Sequence, residues 1–186
     1  MLLKKNIKVY PQIISFKATS CLIRHAHKLS FEKAGVGTAN VKDDKIRKVL
    51  RYALSPQSKF LTDVHWANYL HSKLVHMMNY YLHELGVDSL KIKYLNQLEI
   101  LKYFENYHYK LHCDSAPDHH RTLSAILFLN NDYKGGELIF KSTSGEEEVV
   151  IEPKPGSVII WPSNFLFPHM VKPVTEGVRY TIVAWA

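Results

Sequence analysis

The sequence predicts an α+β chain in which a mainly helical N-terminal part supports a sandwich or jelly roll of short strands. Three observations carry this. Residues 63–85 set Trp66, Leu70, Leu74, Met77, Met78, Tyr81 and Leu85 at three- and four-residue steps, one apolar helical stripe. From about residue 93 the pattern turns to β-branched and aromatic runs separated by turn signals. No internal repeat, low-complexity tract or Pro/Gly/Ser linker interrupts the 186 residues, a length that suits one domain. The expected organisation is a single domain 1–186, with 1–90 as mainly helical support and 93–186 as the β core.

The elements follow in order. "KVYPQIISF" (8–16) reads as an opening strand, and Ser20 as the N-cap of a short helix within 19–31. Residues 32–62 are charged and contain Gly, the mark of a long loop or irregular strand pair. Asp63 is placed to cap the long helix and Gly86 to end it. His65, His71, His76 and His83 lie on that helix, but none forms an i, i+4 pair with a Glu base beside it, so they read as solvent-facing or hydrogen-bonded. The strands are "IKYLNQLEILKYF", "YHYKLHCD", "TLSAILFLN", "GELIF", "EVVIE", "SVIIWP" and "VRYTIVAWA". Gly135 and Gly136 suit a tight turn and Pro155-Gly156 a type II turn.

Composition narrows the class. The chain is 46% hydrophobic and 22% charged, enough for a real core. The N-terminus has no apolar run of signal-peptide length, and no stretch approaches the ~20 apolar residues of a membrane span. Cys21 and Cys113 make no disulfide framework. These features predict a cytoplasmic protein with no membrane partner. Lys and Arg number 24 against 17 Asp and Glu, a net charge of +7. That permits an acidic partner such as nucleic acid or an acidic peptide, and equally describes a plain basic surface.

The chemistry centres on "YHYKLHCDSA". In an extended chain His112 and Asp114 point to one side, together with His108, while Tyr107, Tyr109 and Leu111 point to the other. His112 and Asp114 suit a metal or an ordinary hydrogen-bonded pair. A third ligand has to come from elsewhere, and "NFLFPHMVKPV" offers His169, which taken alone reads more often as a satisfied core residue. Ten residues later Arg179, Thr181, Val183 and Trp185 share one strand face. An Arg aimed into an apolar roll has to meet an anion. Two His and one Asp are the facial ligand set of non-haem Fe(II) oxygenases, whereas structural zinc wants four ligands, often Cys.

In family order, "QLEILKYFENYHYKLHCD", "RTLSAILFLN", "YKGGELIF", "PKPGSVIIWP" and "HMVKPVTEGVRYTIVAW" resemble the prolyl 4-hydroxylase-like branch of the Fe(II)/2-oxoglutarate-dependent dioxygenases. The resemblance covers residues 97–185. It implies a double-stranded β-helix (jelly roll) buttressed by N-terminal α-helices. It implies Fe(II) held by His112, Asp114 and His169, and 2-oxoglutarate held by Arg179 with Tyr103, Ser124 and Phe128 around it. Phe128 departs from the hypoxia-sensing branch, which has a Tyr there, so another donor (Ser124, Thr181 or water) must support the distal carboxylate. Arg121, Tyr109 and Trp185 match positions near the substrate mouth. Arg121 also reads as a strand-end surface charge, and Trp185 as core. Cys113 reads as packing that points away from the metal. The segment 35–48 corresponds to one that covers bound substrate in the family. The implied reaction consumes O2 and 2-oxoglutarate, with ascorbate as a candidate reductant, and hydroxylates a C–H bond. A prolyl residue in a protein or peptide is the leading substrate. Nucleic acid and a free amino acid or other small molecule are the alternatives; nucleic acid is disfavoured because no aromatic-and-basic stacking platform is visible.

Overall fold

The computed structural model describes residues 2–37, 41–116 and 120–186. A short helix α1 (Leu2–Asn6) leads into strand β1 (Lys8–Tyr10) and helix α2 (Phe16–Ala26). The short strands β2 (Glu32–Lys33), β3 (Arg47–Lys48) and β4 (Leu50–Ala53) precede the long helix α3 (Leu61–Glu84). Strands then follow one another: β5 (Gln97–Tyr103), β6 (His108–His112), β7 (Leu123–Phe128), β8 (Lys134–Gly135), β9 (Leu138–Lys141) and β10 (Glu148–Ile151). The series ends with β11 (Val158–Pro162), β12 (His169–Val171), β13 (Val174–Glu176) and β14 (Arg179–Trp185).

These strands pair antiparallel into a seven-stranded sheet, β1-β11-β7-β14-β5-β4-β2, and a five-stranded sheet, β10-β9-β12-β6-β3, with β13 and β8 as a separate pair. The region before residue 90 therefore supplies strands to both sheets as well as three helices. No helix among the described residues is long and apolar enough to cross a membrane.

The large sheet separates two cores. Tyr180, Ile182 and Ala184 alternate along β14 toward Leu70, Leu74 and Met78 of α3. Val183 and Trp185 point the other way, into a second core with Leu138, Phe140 and Val171 of the five-stranded sheet. Both faces are covered, so all seven residues of β14 are buried. Each of Leu70, Leu74 and Met78 is almost fully buried, which contributes roughly 2–3 kcal/mol apiece.

Several boundaries differ from the sequence expectation. Helix α2 starts at Phe16, because Ser15, not Ser20, accepts a hydrogen bond from the Ala18 N–H at 3.2 Å. The Ser20 hydroxyl instead donates to the Phe16 carbonyl within the helix. The opening strand stops at Tyr10: Pro11 lacks an N–H and Gln12 takes φ +50°. Residues 32–62 hold three short strands, two of which edge the large sheet while β3 edges the small one. Helix α3 begins after Phe60, which offers no side-chain cap. Asp63 lies inside its first turn, buried, and receives the Tyr52 and Ser58 hydroxyls and His25 Nε2, the last at 2.6 Å. This carboxylate ties α2, β4 and α3 together. At the far end Gly86 sits at φ +72°, with its N–H bonded to the His83 carbonyl and the Val87 N–H to the Leu82 carbonyl, closing the helix as expected.

Candidate metal centre

His112 is the last residue of β6, and His169, the first of β12, is its direct antiparallel partner. Asp114 lies two residues past the end of β6. Among the described residues these three form a group whose ligand atoms lie within 4.8 Å of one another. Asp114 Oδ1 is 3.6 Å from His112 Nε2, and Oδ2 is 3.6 Å from His169 Nε2. Each imidazole is oriented from behind. His112 Nδ1 faces the Lys110 carbonyl at 2.8 Å and His169 Nδ1 the Phe167 carbonyl at 3.1 Å. A carbonyl only accepts, so the proton sits on Nδ1 and the Nε2 lone pair is left for a metal.

The electrostatics agree with that use. Burial alone would raise the Asp114 carboxyl, but the two imidazoles and the Ser124 hydroxyl outweigh it and hold the group ionised, well below the usual carboxylate range. Burial pushes the His169 imidazole down to about 4, only partly opposed by Asp114, so it is neutral near pH 7. Phe140 and Trp161 pack around His169, with ring centroids 5.2 and 5.0 Å away.

A local irregularity changes one expected face. Between the pairs His169↔His112 and Val171↔Tyr109 the register shifts, three steps of β6 facing two of β12. This bulge turns Tyr109 to the same side as His112, and the two rings stack with centroids 3.5 Å apart. Simple alternation had placed Tyr109 opposite His112. His108 does not join the group; its ring approaches the Asn106 and Lys45 carbonyls.

The other named residues fall into two neighbourhoods. Ser124 sits at the carboxylate, donating to Asp114 Oδ2 at 2.6 Å while sharing a hydrogen bond with Ser163, so its hydroxyl is engaged there. Arg121 donates to the Asp114 carbonyl at 3.2 Å and lies over the Trp185 ring at 3.8 Å. Arg179 is at the opposite end of β14, where its guanidinium approaches the rings of Tyr103 (4.9 Å) and Phe128 (5.8 Å). Arg179 is 1% exposed, and among the described residues no carboxylate or carbonyl accepts a hydrogen bond from its three guanidinium nitrogens. Thr181, two residues along the same face, has a buried hydroxyl without a partner among the described residues. A buried cation and a buried donor left open in this way cost several kcal/mol unless an anion meets them. The Tyr103 hydroxyl is held by hydrogen bonding and charge from Arg179 and feels the Asp114 carboxylate as well, so it links the two neighbourhoods. Cys113 Sγ lies 3.8 Å from the Phe165 carbonyl, and burial pushes its thiol up. Residues 38–40 of the expected covering segment lie outside the described residues.

The donor set fits a facially bound octahedral ion, leaving positions open on the side away from the protein ligands. Sequence reasoning missed Ser163 and Arg47. Arg47 stands directly across from Tyr109 and over its ring at 4.6 Å. The alternation of Arg47 and Val49 hinted that both point inward, but nothing local told that β3 would pair with β6.

Residues 98–186 match the 2OG-Fe(II) oxygenase superfamily. A PKHD-type hydroxylase of Xylella fastidiosa (strain M23) is 41% identical over 98 residues, covering 45% of this chain and 41% of the relative. A PKHD-type hydroxylase of Rippkaea orientalis is 46% identical over 65 residues, 34% of this chain and 28% of the relative. The chain thus spans about two fifths or less of the length of these relatives. In fold it resembles a prolyl-4-hydroxylase of Pseudomonas putida, with TM-score 0.68 at 20% identity, covering 98% of this chain and 94% of the other. It also resembles a prolyl hydroxylase from Trichoplax adhaerens, solved with a peptide fragment of the hypoxia inducible factor oxygen degradation domain. There the TM-score is 0.77 at 16% identity, with 98% and 84% of the two chains covered.

Proposed function

We propose that this chain is an Fe(II)- and 2-oxoglutarate-dependent dioxygenase that hydroxylates a prolyl residue in a protein or peptide, a reading supported by the match of residues 98–186 to the 2OG-Fe(II) oxygenase superfamily. The observation that carries the reading is the pairing of the His112, Asp114 and His169 group with a buried Arg179 that meets no carboxylate among the described residues. His112, Asp114 and His169 would hold the iron, and Arg179 the distal carboxylate of 2-oxoglutarate. When bound, iron and 2-oxoglutarate supply the oxidising chemistry that uses O2. The residues of this chain do the rest. The Lys110 and Phe167 carbonyls and Ser124 fix the ligands. Tyr103 and Phe128 wall the guanidinium and keep water away from it. With no hydroxyl on Phe128, and with that of Ser124 engaged at Asp114, we assign the supporting hydrogen bond to Thr181 Oγ1. Arg121 and Trp185, stacked beside Asp114, and Tyr109, stacked on His112, are assigned to the substrate side.

We read the two antiparallel sheets as the halves of a double-stranded β-helix, forming one domain with α2 and α3 as its buttress. Both cysteines are unpaired, which accords with a cytoplasmic setting. Hydroxylation is supported by the PKHD-type hydroxylases among the relatives, and the prolyl assignment by the prolyl hydroxylases that share the fold.

The test is 2-oxoglutarate binding to Mn(II)-loaded protein, followed by succinate release with Fe(II) and a +16 Da shift on proline-containing peptides. Asp114→Ala should abolish turnover, and Arg179→Ala should raise the 2-oxoglutarate requirement by about a hundredfold or more, as expected for loss of a bidentate charged pair. Undiminished 2-oxoglutarate affinity in Arg179→Ala would overturn the assignment.

A further inference from the structure

A further arginine stands at Tyr109, the ring that stacks on the metal group, and the proposed reaction leaves it unused. Arg47 is directly opposite Tyr109 in the small sheet, its guanidinium lies 4.6 Å over the Tyr109 ring, and that ring stacks on His112. Val49, two residues on, is buried in the core between the sheets, as an inward-facing Arg47 requires.

What holds Arg47 is slight. Nη1 donates to the Gly35 carbonyl at 2.8 Å, and Nε is buried with no hydrogen-bond partner among the described residues. Among the described residues no carboxylate comes within ion-pair distance of it. Arg51, four residues later, shows the contrast: it meets Glu32 at 2.8 Å and Glu99 at 2.6 Å. Across the group, Arg121 has Asp114 and Gln97 as partners, and the like charge of Arg47 works against it. Arg47 thus leans on the ring that stacks on His112 and meets no carboxylate among the described residues.

We propose that Arg47 is a specificity-determining residue that binds a carboxylate of the substrate, close to the position that is hydroxylated. The inference rests on the oxygenase reading above and adds the substrate's chemical class to it. The carboxylate has two sources: an acidic side chain flanking the target in a peptide, or the free carboxylate of an amino acid. A fork of guanidinium donors fits either one.

The probes are acetylated, amidated pentapeptides of Ala with a central Pro, bearing Asp or Asn at each flanking position in turn. L-proline and L-prolinamide form a second pair, and a single-stranded oligonucleotide a third arm. Binding to protein loaded with Mn(II) and 2-oxoglutarate is read by calorimetry. At least one acid should bind about ten- to a hundredfold tighter than its amide, the range of one charge-assisted hydrogen-bonded contact. Arg47→Gln should erase the difference, and Arg47→Lys should retain most of it. Should Arg47→Gln not fold, Arg47→Met serves as the neutral variant. A preference confined to L-proline supports the proposal and identifies the free acid; one confined to Asp peptides supports it and identifies the side chain. The proposal falls if no acid outbinds its amide, if the preference survives in the neutral variants, or if only the oligonucleotide depends on Arg47. Failure of 2-oxoglutarate to bind would instead sink the oxygenase reading, and the acid-against-amide comparison on metal-free protein would still report on Arg47.

Discussion

Asp63 and Asp114 are two nearly buried carboxylates with opposite assignments, and their partners make the difference. Asp63 is enclosed by Tyr52 of β4, His25 of α2 and Ser58 of the loop before α3. Asp114 faces two imidazole Nε2 atoms that a carbonyl behind each ring has already oriented. For Asp63, burial would raise the carboxyl, but the hydrogen bonds from Tyr52, His25 and Ser58 outweigh it and lower it. A carboxyl lowered on folding contributes stability that is full above its unfolded value of about 3.9 and is lost as pH falls through the folded value. Asp63→Ala should therefore cost about 3 kcal/mol at pH 7, and the gap to wild type should narrow below about pH 4 in denaturant melts. Thr181→Val should weaken 2-oxoglutarate binding about five- to tenfold, the worth of one neutral hydrogen bond, with little change in melting. That His112, Asp114 and His169 would come together was expected from the motif resemblance, and their side chains do meet; local pattern alone left His169 reading as core. The role of Asp63 was not legible, because a cap and a buried anchor look alike until the partners His25 and Tyr52 arrive from elsewhere.

At the scale of elements, two turns take positive φ for different reasons. Gly86 closes α3 at φ +72°, and an added Cβ there would meet nothing within 4 Å. Gly136 follows β8 at φ +65°, where a Cβ would come 2.9 Å from Val174 Cγ2 and 3.1 Å from Arg179 Cδ. Gly86→Ala should cost roughly 1 kcal/mol of backbone strain and leave 2-oxoglutarate affinity alone. Gly136→Ala should carry the same strain and also shift Arg179, weakening 2-oxoglutarate several-fold; calorimetry on the pair separates the two effects. Both glycines were readable as turn formers. The β6 bulge was not, because an extra residue in a ladder leaves no mark in "YHYKLH" and appears only when β12 sets the register. Helix α2 was misplaced for a related reason: the apolar run 13–16 resembles a strand, and the Ser15 cap is evident only once Pro11 and Gln12 have turned the chain.

Across the molecule, one sheet serves both purposes, with its outer face on the helices and its inner face on the metal group. The two cores share β5, β7, β11 and β14 but not their side chains. Leu74→Ala, deep in the helical core, should therefore destabilise by roughly 2–5 kcal/mol. Its folded fraction should bind 2-oxoglutarate with unchanged affinity, measured well below its melting temperature. The split between a helical stripe and a strand-rich half was plain in the sequence. That β3 would cross to the small sheet while β2 and β4 joined the large one was not, since strands of two to four residues carry too little pattern to choose a neighbour.

The unmet guanidinium at Arg179 has a consequence for the persistence of the chain. A ligand that settles only in the folded state draws the folding equilibrium with it, by about 2.7 kcal/mol at a hundredfold excess over its dissociation constant. On the oxygenase reading, resistance to proteolysis should climb and sink with the supply of diacid. The protein would then gauge a metabolite through its own lifetime as well as through its catalysis.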